Sequence, residues 1–347
     1  MTSDNDTFKS LIARVADAMP LTVAEARSAF NIMMSGDATP AQMGGFLMAL
    51  RVRGESVDEI TGGVMAMRDK MTAIHAPAGA IDIVGTGGDA KGTLNVSTTS
   101  ALVTAACGVV VAKHGNRALS SKTGAADVLS ALGVNLDAPF PRLEQALVEA
   151  GICFMMAPRH HGAMRNVGGA RVELGTRTIF NLLGPMSNPA GVKRQLIGVF
   201  AKPWLVPMAE TMRNLGSETI WVVHGADGTD ELTITGATYC AKLEAGDITE
   251  AELHPSDAGL DVAPFEAIKG GAPDHNAQAV RDLLNGEESA FRDMVLFNVA
   301  AALVIAGKTG DLKDGVKLGA EAIDSGKARE TLATMAAITN LPEDGER

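Results

Sequence analysis

Residues 81–98, IDIVGTGGDAKGTLNVST, contain the pattern that most restricts what this chain can fold into. The apolar run 81–84 predicts a short buried strand, and Asn95 is a favoured N-cap for the apolar helix that begins at Val96. The connection between them contains Gly85, Gly87, Gly88 and Gly92. Glycines let backbone N–H groups approach a ligand closely, and a helix N-terminus attracts negative charge. The segment therefore predicts a binding site for a phosphorylated ligand.

The glycine loop departs from the two commonest nucleotide-binding motifs. Gly85-x-Gly87-x-x-Ala90 fits G-x-G-x-x-G/A, but residues 91–94 delay the helix. The next strand also leads into the basic segment 113–117, where a dinucleotide site has an acidic residue. No G-x-x-x-x-G-K-[ST] motif occurs in the sequence. Both a dinucleotide site and a P-loop are therefore disfavoured.

A second polar loop, residues 113–125 (KHGNRALSSKTGA), follows the next predicted strand. It contains three cationic side chains, those of Lys113, Arg117 and Lys122. It also contains three hydroxyl groups, those of Ser120, Ser121 and Thr123. The carboxyl ends of neighbouring parallel strands meet at one edge of a sheet, so both loops should open into one crevice. One loop could then hold a phosphomonoester and the other a diphosphate. The alternative is an exposed basic loop on a solvated surface.

Hydrophobic periodicity predicts helices throughout residues 7–73, followed by alternating strands and helices. The predicted strands are 81–84, 109–112, 152–156, 195–200 and 219–223, with short strands of a meander near 231–253. The predicted helices are 96–107, 126–132, 141–150, about 162–183 and 203–214, and the chain after the meander is helical to about residue 338. Such alternation is typical of an α/β fold with a mostly parallel sheet flanked by helices.

Composition excludes several classes of function. The net charge of −11 argues against a nucleic-acid partner. No stretch of about 18 uncharged apolar residues is present, so we expect no membrane span. The first residues, MTSDNDTF, lack the pattern of a signal peptide. Three well-separated cysteines, at positions 107, 153 and 240, suggest reduced, packed thiols. We therefore expect a cytoplasmic protein.

Several ordered segments resemble the anthranilate phosphoribosyltransferases. They are GTGGD (85–89), NVST (95–98), KHGNRALSS (113–121) and the longer stretches 161–189, 227–236 and 276–307. The resemblance covers nearly the whole chain and implies a small all-helical domain, residues 1–75 joined by helices of about 162–190. The remaining residues, 76–347, would form a large α/β domain, with the active site in the cleft between the two.

The resemblance also implies a reaction. The family transfers the phosphoribosyl group of phosphoribosyl diphosphate to the amine of anthranilate, releasing diphosphate, in tryptophan biosynthesis. It uses Mg²⁺ and forms homodimers. We therefore expect two small-molecule substrates, this metal ion and a second copy of the chain as partners.

The implied donor site lies in the two loops. Its residues are Gly85, Gly88, Asp89, Thr93, Asn95, Val96, Ser97, Thr98, Lys113, His114, Gly115, Asn116, Arg117, Ala118, Leu119, Ser120, Ser121 and Ala125. The adjacent carboxylates of Asp230 and Glu231 are hard oxygen ligands suited to Mg²⁺, and the resemblance adds the Ser97 hydroxyl. Asp89 would repel diphosphate unless its carboxylate turns toward Lys91 or a loop N–H. Without the resemblance, a solvated acidic dipeptide is the alternative for Asp230 and Glu231.

The implied acceptor site needs an apolar slot for an aromatic ring and a cation for its carboxylate. The residues assigned to it are Gly85, Asn116, His161 and Arg171, and Met164 and Pro185 would form its walls. A guanidinium suits a carboxylate, since it donates two parallel hydrogen bonds. Arg165 is the rival cation, and a surface ion pair is the alternative for either arginine.

The expected mechanism needs neither a nucleophile nor a strong base. Loss of diphosphate should give an oxocarbenium-like transition state, as in glycoside hydrolysis. Lys113, Asp230 and Glu231 would act electrostatically, the two carboxylates through the metal. The acceptor is a neutral aromatic amine, whose lone pair is already free at pH 7.

Two positions depart from the family pattern. Ala125 replaces a serine that would donate to phosphate, with Thr123 as a possible substitute, and Gly162 replaces a proline. Two other functions are alternatives to the transferase. One is a pyrimidine nucleoside phosphorylase, which would not require Asp230 and Glu231. The other is a non-catalytic paralogue that binds nucleic acid, which the acidic composition opposes.

Overall fold

The structure is a computed structural model that describes residues 4–117 and 122–342. Its centre is a seven-stranded sheet with the order β3-β2-β1-β4-β5-β6-β7. The strands are β1 (Ile81–Gly85), β2 (Val111–Gly115), β3 (Ile152–Met156), β4 (Arg194–Gly198), β5 (Thr219–Gly225), β6 (Thr238–Glu244) and β7 (Asp247–Leu253). The first five are mutually parallel, and β6 and β7 are antiparallel. The predicted α/β fold with a mostly parallel sheet is therefore confirmed.

The first four helices begin where the sequence offers strong caps. They are α1 (Asp4–Ala16), α2 (Val23–Ser35), α3 (Pro40–Arg53) and α4 (Val57–Lys70). Thr22, Thr39 and Ser56 each form a capping box with the Glu or Gln three residues later. Since such a box satisfies two backbone donors at once, it fixes the first turn of three consecutive helices.

Two further helices pack beside this bundle, α9 (Arg165–Leu174) and α10 (Phe180–Leu183), and the short α8 (Ala157–His160) packs on β3. Helix α9 contacts α2 and α3, and α10 contacts α4. Val84 and Ile197, from the sheet, belong to the same buried cluster as Phe30 and Phe46 of the bundle. We propose that residues 1–75 and about 162–190 form one domain and that the other residues of 76–347 form the second.

The remaining helices cover the sheet. They are α5 (Val96–Ala106), α6 (Ala125–Ala131), α7 (Phe140–Glu149), α11 (Leu205–Asn214), α12 (Pro273–Leu284), α13 (Ala290–Ile305), α14 (Leu312–Asp324) and α15 (Lys327–Thr339). Helix α13 is the most apolar of these in sequence, and it packs on α5 and α14 inside the main core. Among the described residues, no helix is both long and apolar enough to cross a membrane.

The predicted strand 109–112 was misplaced. The observed strand is Val111–Gly115, because Gly108 adopts a φ of 84° and the turn at 107–110 delays the start of β2. Lys113 and His114 therefore lie in a buried strand and not in an exposed loop. This shift changes what Lys113 can do, since its side chain is fixed by the sheet.

Two longer predictions can be compared with the structure. The helices predicted over about 162–183 are present as α9 and α10, and Gly175 ends α9 in the left-handed conformation. The meander expected near 231–253 is a single hairpin, β6–β7, whose turn residues Ala245 and Gly246 both have positive φ. Residues 231–237 form no strand, and 254–272 contain only short 3₁₀ turns before α12.

The loop after β5 approaches the sheet unusually closely. It crosses the carboxyl end of β4 and brings Asp230 against Gly198, the register partner of Gly85 in β1. A Cβ atom at Gly198 would overlap the backbone carbonyl of Asp230, and one at Gly85 would overlap its carboxylate. The two glycines thus create the space in which the acidic residue lies.

Replacing Gly198 by Ala should therefore destabilise the protein by about 3 kcal/mol, because a backbone carbonyl cannot move aside as a side chain can. Gly310→Ala is the matched control, since no atom lies within 4 Å of its added Cβ. Urea unfolding measures both. Equal free energies of unfolding for the two variants would contradict the close approach.

Candidate functional site

The carboxyl ends of β1 and β2 open into a cavity of about 590 Å³, walled on the other side by the helices around Met67 and Met164. The predicted donor residues on its wall are Gly85, Gly88, Asp89, Thr93, Asn95, Val96, Ser97, Lys113, His114, Gly115, Asn116, Arg117 and Ala125. Thr98 is not on the wall: its side chain is buried and its hydroxyl has no partner. Ala118, Leu119, Ser120 and Ser121 lie outside the described residues.

The glycine loop, residues 86–95, has the backbone conformation of an anion site. Positive φ values occur at Gly87, Gly88, Ala90 and Gly92. Left-handed residues that alternate with other conformations, as at Ala90 and Gly92, can turn backbone N–H groups into a concave nest for negative charge. The far end is anchored where the Leu94 N–H donates to the Ile268 carbonyl at 2.9 Å. The loop is thus held at both ends over the cavity.

Asn95 precedes α5 but does not cap it. Its side chain makes no hydrogen bond to the first turn, and its Oδ1 accepts instead from Asn276 Nδ2 at 2.8 Å. The predicted capping role was wrong because Asn276, 181 residues away, competes for the amide. One N–H of the uncapped first turn, that of Ser97, is bound by Glu231.

Asp230 and Glu231 meet these two elements. Asp230 Oδ2 accepts from the Gly87 N–H at 2.8 Å, and Glu231 Oε1 accepts from the Ser97 N–H at 3.1 Å. Burial, reinforced by the charge of Asp89, raises the pKa of Asp230 to about 7. Burial and the charge of Asp230 raise the pKa of Glu231 to about 8. The site thus contains two half-buried carboxyls whose charged forms are under-compensated.

The carboxylate of Asp89 was expected to turn toward either Lys91 or a loop N–H, and the structure shows the second. Its carboxylate accepts from the Lys91 backbone N–H at 3.2 Å, so a loop N–H is the partner. The Lys91 side chain instead lies against Gly228, in the loop that carries the acidic pair. The glycine loop and the acidic loop therefore pack directly on each other.

Sequence reasoning missed Asp227, which shapes the acidic loop. Its carboxylate accepts from the N–H and hydroxyl of Thr229 and from the hydroxyls of Thr233 and Thr235, at 2.6–3.0 Å. Burial pushes the pKa of Asp227 upward, but these hydrogen bonds outweigh it, and the pKa lies below its usual value. The spacing of threonines after Asp227 was the available signal, because such residues bond to nearby carboxylates in turns.

Lys113 is 2% exposed and faces the acidic pair from β2. Its ammonium donates to the Ile83 carbonyl at 2.6 Å. Burial lowers its pKa, and the charges of Asp82, Glu231 and Asp230 oppose that shift. Lys113 is therefore a buried counter-charge at the floor of the cavity.

The polar side chains of the second loop, residues 113–125, bind different partners. Arg117 is exposed and pairs with Asp127 at 3.1 Å, away from Lys113. The Thr123 hydroxyl donates to the Gly271 carbonyl at 2.7 Å. That hydrogen is therefore engaged, and Thr123 does not replace the serine hydroxyl absent at Ala125. The alternative of an exposed basic loop describes Arg117 and Lys122, which are exposed, but not Lys113, which is buried.

The acceptor end of the cavity contains both candidate arginines. Arg165 and Arg171 line it together with Met164 and Pro185, as expected. The Arg171 guanidinium lies 5.4 Å from the centre of the Phe180 ring, and burial lowers its pKa. Within the described residues, no ion pair joins either arginine to a carboxylate. Both remain candidates for a carboxylate ligand.

Two buried histidines line the cavity, His114 of β2 and His161 after α8. The rings of His114 and His161 are 5.1 Å apart, and the Nε2 atom of each is buried without a partner. Burial lowers the pKa of His161 to about 4 and that of His114 well below its usual value. Both rings are therefore neutral at pH 7 and supply no positive charge to the cavity.

Family models cover most of the chain. The glycosyl transferase family, helical bundle domain, matches residues 9–71, and the glycosyl transferase family, a/b domain, matches residues 78–329. An anthranilate phosphoribosyltransferase of Rhodopseudomonas palustris is 60% identical over 96% of this chain and 98% of its own length. One from Rhodospirillum rubrum is 59% identical over 98% of both chains.

Solved structures agree with these relatives. The anthranilate phosphoribosyltransferase of Thermus thermophilus superposes with a TM-score of 0.90 and 43% identity, over 95% of this chain and 99% of that one. The Saccharomyces cerevisiae enzyme, solved in complex with phosphoribosyl diphosphate and Mg, has a TM-score of 0.88 and 26% identity, over 96% and 98% of the two chains. This chain belongs to the anthranilate phosphoribosyltransferase family.

Proposed function

We propose that this chain transfers the phosphoribosyl group of phosphoribosyl diphosphate to the amine of anthranilate, with release of diphosphate, in tryptophan biosynthesis. The carrying observation is the half-buried acidic pair, Asp230 and Glu231, bound by backbone N–H groups of the glycine loop and of the first turn of α5. The names of relatives at about 60% identity support the same reaction. Neither the nucleoside phosphorylase nor the nucleic-acid-binding alternative accounts for this pair.

Mg²⁺ is proposed as the cofactor, held by Asp230, Glu231 and the Ser97 hydroxyl. The residues fit the ion, because burial raises the pKa of both carboxyls and a cation would remove that penalty. Among the described residues, no three His, Cys, Asp or Glu side chains converge as a complete metal site. Mg²⁺ suits such a sparse set, since it keeps waters and shares substrate phosphate oxygens. When bound, it would supply positive charge to the departing diphosphate.

The donor is proposed to lie along the glycine loop and the start of the second loop. The loop N–H groups, with the uncapped N-terminus of α5, would bind phosphate oxygens. Lys113 would oppose the charge that develops on the leaving diphosphate, from a position fixed by the sheet. Such preorganised charge lowers the barrier without moving a proton.

The acceptor is proposed to lie between the histidine pair and α9. Arg171 or Arg165 would bind the anthranilate carboxylate, and Asn116 and Gly85 would contact the same ligand. His161 would form an uncharged wall, which leaves the amine lone pair unprotonated. With the amine oriented toward the ribose carbon, no residue needs to act as nucleophile or base.

A homodimer and a cytoplasmic location are also proposed. The strongest support for the dimer is a pair of exposed apolar side chains on neighbouring helices, Val52 of α3 and Val172 of α9, which are 82% and 81% exposed. Contiguous exposed apolar patches mark association surfaces, and we propose that these two valines belong to one such patch. For the location, the support is that all three cysteines are free thiols.

Removing the charge of the acidic pair tests the proposed function. Asp230→Asn with Glu231→Gln should lower kcat/KM by about 10²–10³-fold, because the groups that hold Mg²⁺ at the leaving diphosphate are lost. Single changes of His114 or His161 to Gln should cost far less. Steady-state kinetics at saturating Mg²⁺ measure these values. Glu287→Gln with Glu288→Gln, an adjacent pair outside the cavity, is the charge-matched control. Near-wild-type rates in the first double variant would remove the metal role.

The same variant should have a distinct pH dependence of stability. The pKa values of about 7 and about 8 for Asp230 and Glu231 exceed those of the unfolded chain. The ligand-free protein therefore loses stability as pH rises from about 4, where the carboxyls of the unfolded chain ionise, to about 8, by an amount on the order of a few kcal/mol. The double amide variant should escape this loss. Urea unfolding at several pH values, without metal, measures it, and parallel curves for the two proteins would contradict the shifted pKa values.

Introducing negative charge into the proposed dimer surface tests whether it holds two chains together. Val52→Asp with Val172→Asp should give monomers, because two buried, unpaired charges would oppose the apolar contact. Val148→Asp is the control, since this α7 residue is 75% exposed on the other domain. Light scattering after gel filtration measures the mass. A dimeric double variant, or a monomeric wild-type protein, would contradict the assignment.

A further inference from the structure

One buried side chain outside the cavity binds the backbone beside the acidic pair. Asn298 Oδ1 accepts from the Leu232 N–H at 3.1 Å, and Asn298 Nδ2 donates to the Leu232 carbonyl at 2.8 Å. Leu232 directly follows Glu231. One amide group therefore pairs with both backbone polar groups of that residue, as a neighbouring strand would.

The position of this asparagine in α13 is costly. Asn298 is fully buried, and its neighbours on the helix are apolar. Asn disfavours helix interiors, and a buried amide costs free energy unless it is hydrogen-bonded. Its Nδ2 also donates to the Met294 carbonyl at 2.9 Å, one turn earlier. An apolar side chain would suit α13 better, so the contact with Leu232 is the feature that distinguishes Asn298.

Helix α13 connects both supports of Glu231. It packs along α5, where the Ser100 hydroxyl donates to the Val295 carbonyl at 3.4 Å. The first turn of α5 provides the Ser97 N–H that binds Glu231. The carboxylate is thus located through α5 on one side and through Leu232 on the other, and both depend on α13.

On the other side of the pair, the Asp227 hydrogen bonds fix the chain at Thr229. Asp230 and Glu231 are therefore the two residues between a threonine-bound turn and an asparagine-bound backbone. Groups that orient metal ligands in this way tune metal affinity without touching the ion.

We infer that Asn298 is a positioning residue, which sets Glu231 for Mg²⁺ through the backbone of Leu232. This inference rests on the proposed metal role of Glu231. Without Asn298, the Leu232 N–H and carbonyl lose their partners, and the loop can relax away from the geometry that the ion needs. The predicted effect is on metal affinity and not on the acceptor end of the cavity.

Two variants test the inference. Asn298→Leu removes both contacts with Leu232 and keeps the same branched shape at Cγ, with a somewhat larger side chain. Asn298→Ser is the alternative if the first folds poorly, because its hydroxyl can still bond within the helix but cannot reach Leu232. Val299→Ala is the matched control: this fully buried neighbour faces α14, against Gly319, and leaves the loop untouched.

The readout is the Tm of each protein at fixed phosphoribosyl diphosphate and rising Mg²⁺, relative to its own Tm without metal. The Mg²⁺ concentration that produces a given Tm increase should be about tenfold higher in both Asn298 variants, which corresponds to about 1.4 kcal/mol. Val299→Ala should lower the starting Tm but respond to Mg²⁺ as the wild type does. The KM for anthranilate should stay unchanged in all three.

Opposite results have separate meanings. If the Asn298 variants lose stability but show the wild-type Tm increase at each Mg²⁺ concentration, Asn298 is only structural and the inference is wrong. If the wild-type Tm does not respond to Mg²⁺ at all, the metal role of Glu231 fails first, and the inference falls with it.

Discussion

The contact of Asp230 with two glycines at the centre of the sheet is the constraint on which the site depends. Gly85 and Gly198 are register partners in β1 and β4, and their missing side chains let the loop after β5 cross the sheet edge. The carboxylate thereby reaches the Gly87 N–H. A side chain at either glycine would separate the acidic loop from the glycine loop, and the two halves of the donor site would no longer meet.

This arrangement favours the ligand-bound protein, because the ligand-free protein contains carboxyl groups whose charge is only partly compensated. Burial raises the pKa of Asp230 and Glu231, and the buried Lys113 compensates only part of their charge. Such under-compensated charges are typical of active sites, because a bound ion or a developing charge supplies the missing partner. The neutral histidines at the acceptor end have the complementary property, since they add no charge that would compete for the substrate carboxylate.

Much of the fold and part of the site could be predicted from sequence, for reasons visible in particular residues. The strand, glycine loop and helix of residues 81–98 are local features, and their prediction matched β1 and α5. Lys113 was misplaced because the turn after Gly108 shifted β2. Asn95 was misread because its partner, Asn276, is distant in sequence. Asn298 had no detectable pattern: a single amide in an apolar helix becomes meaningful only when the fold brings Leu232 to it.

Diffraction from crystals soaked with Mn²⁺ and phosphoribosyl diphosphate tests the central claim most directly, since the anomalous signal locates the ion independently of the protein atoms. The account predicts a peak within coordination distance of carboxylate oxygens of Asp230 and Glu231, with diphosphate oxygens on its other side. A peak bound by the diphosphate alone, beyond coordination distance of every carboxylate oxygen of Asp230 and Glu231, would contradict it.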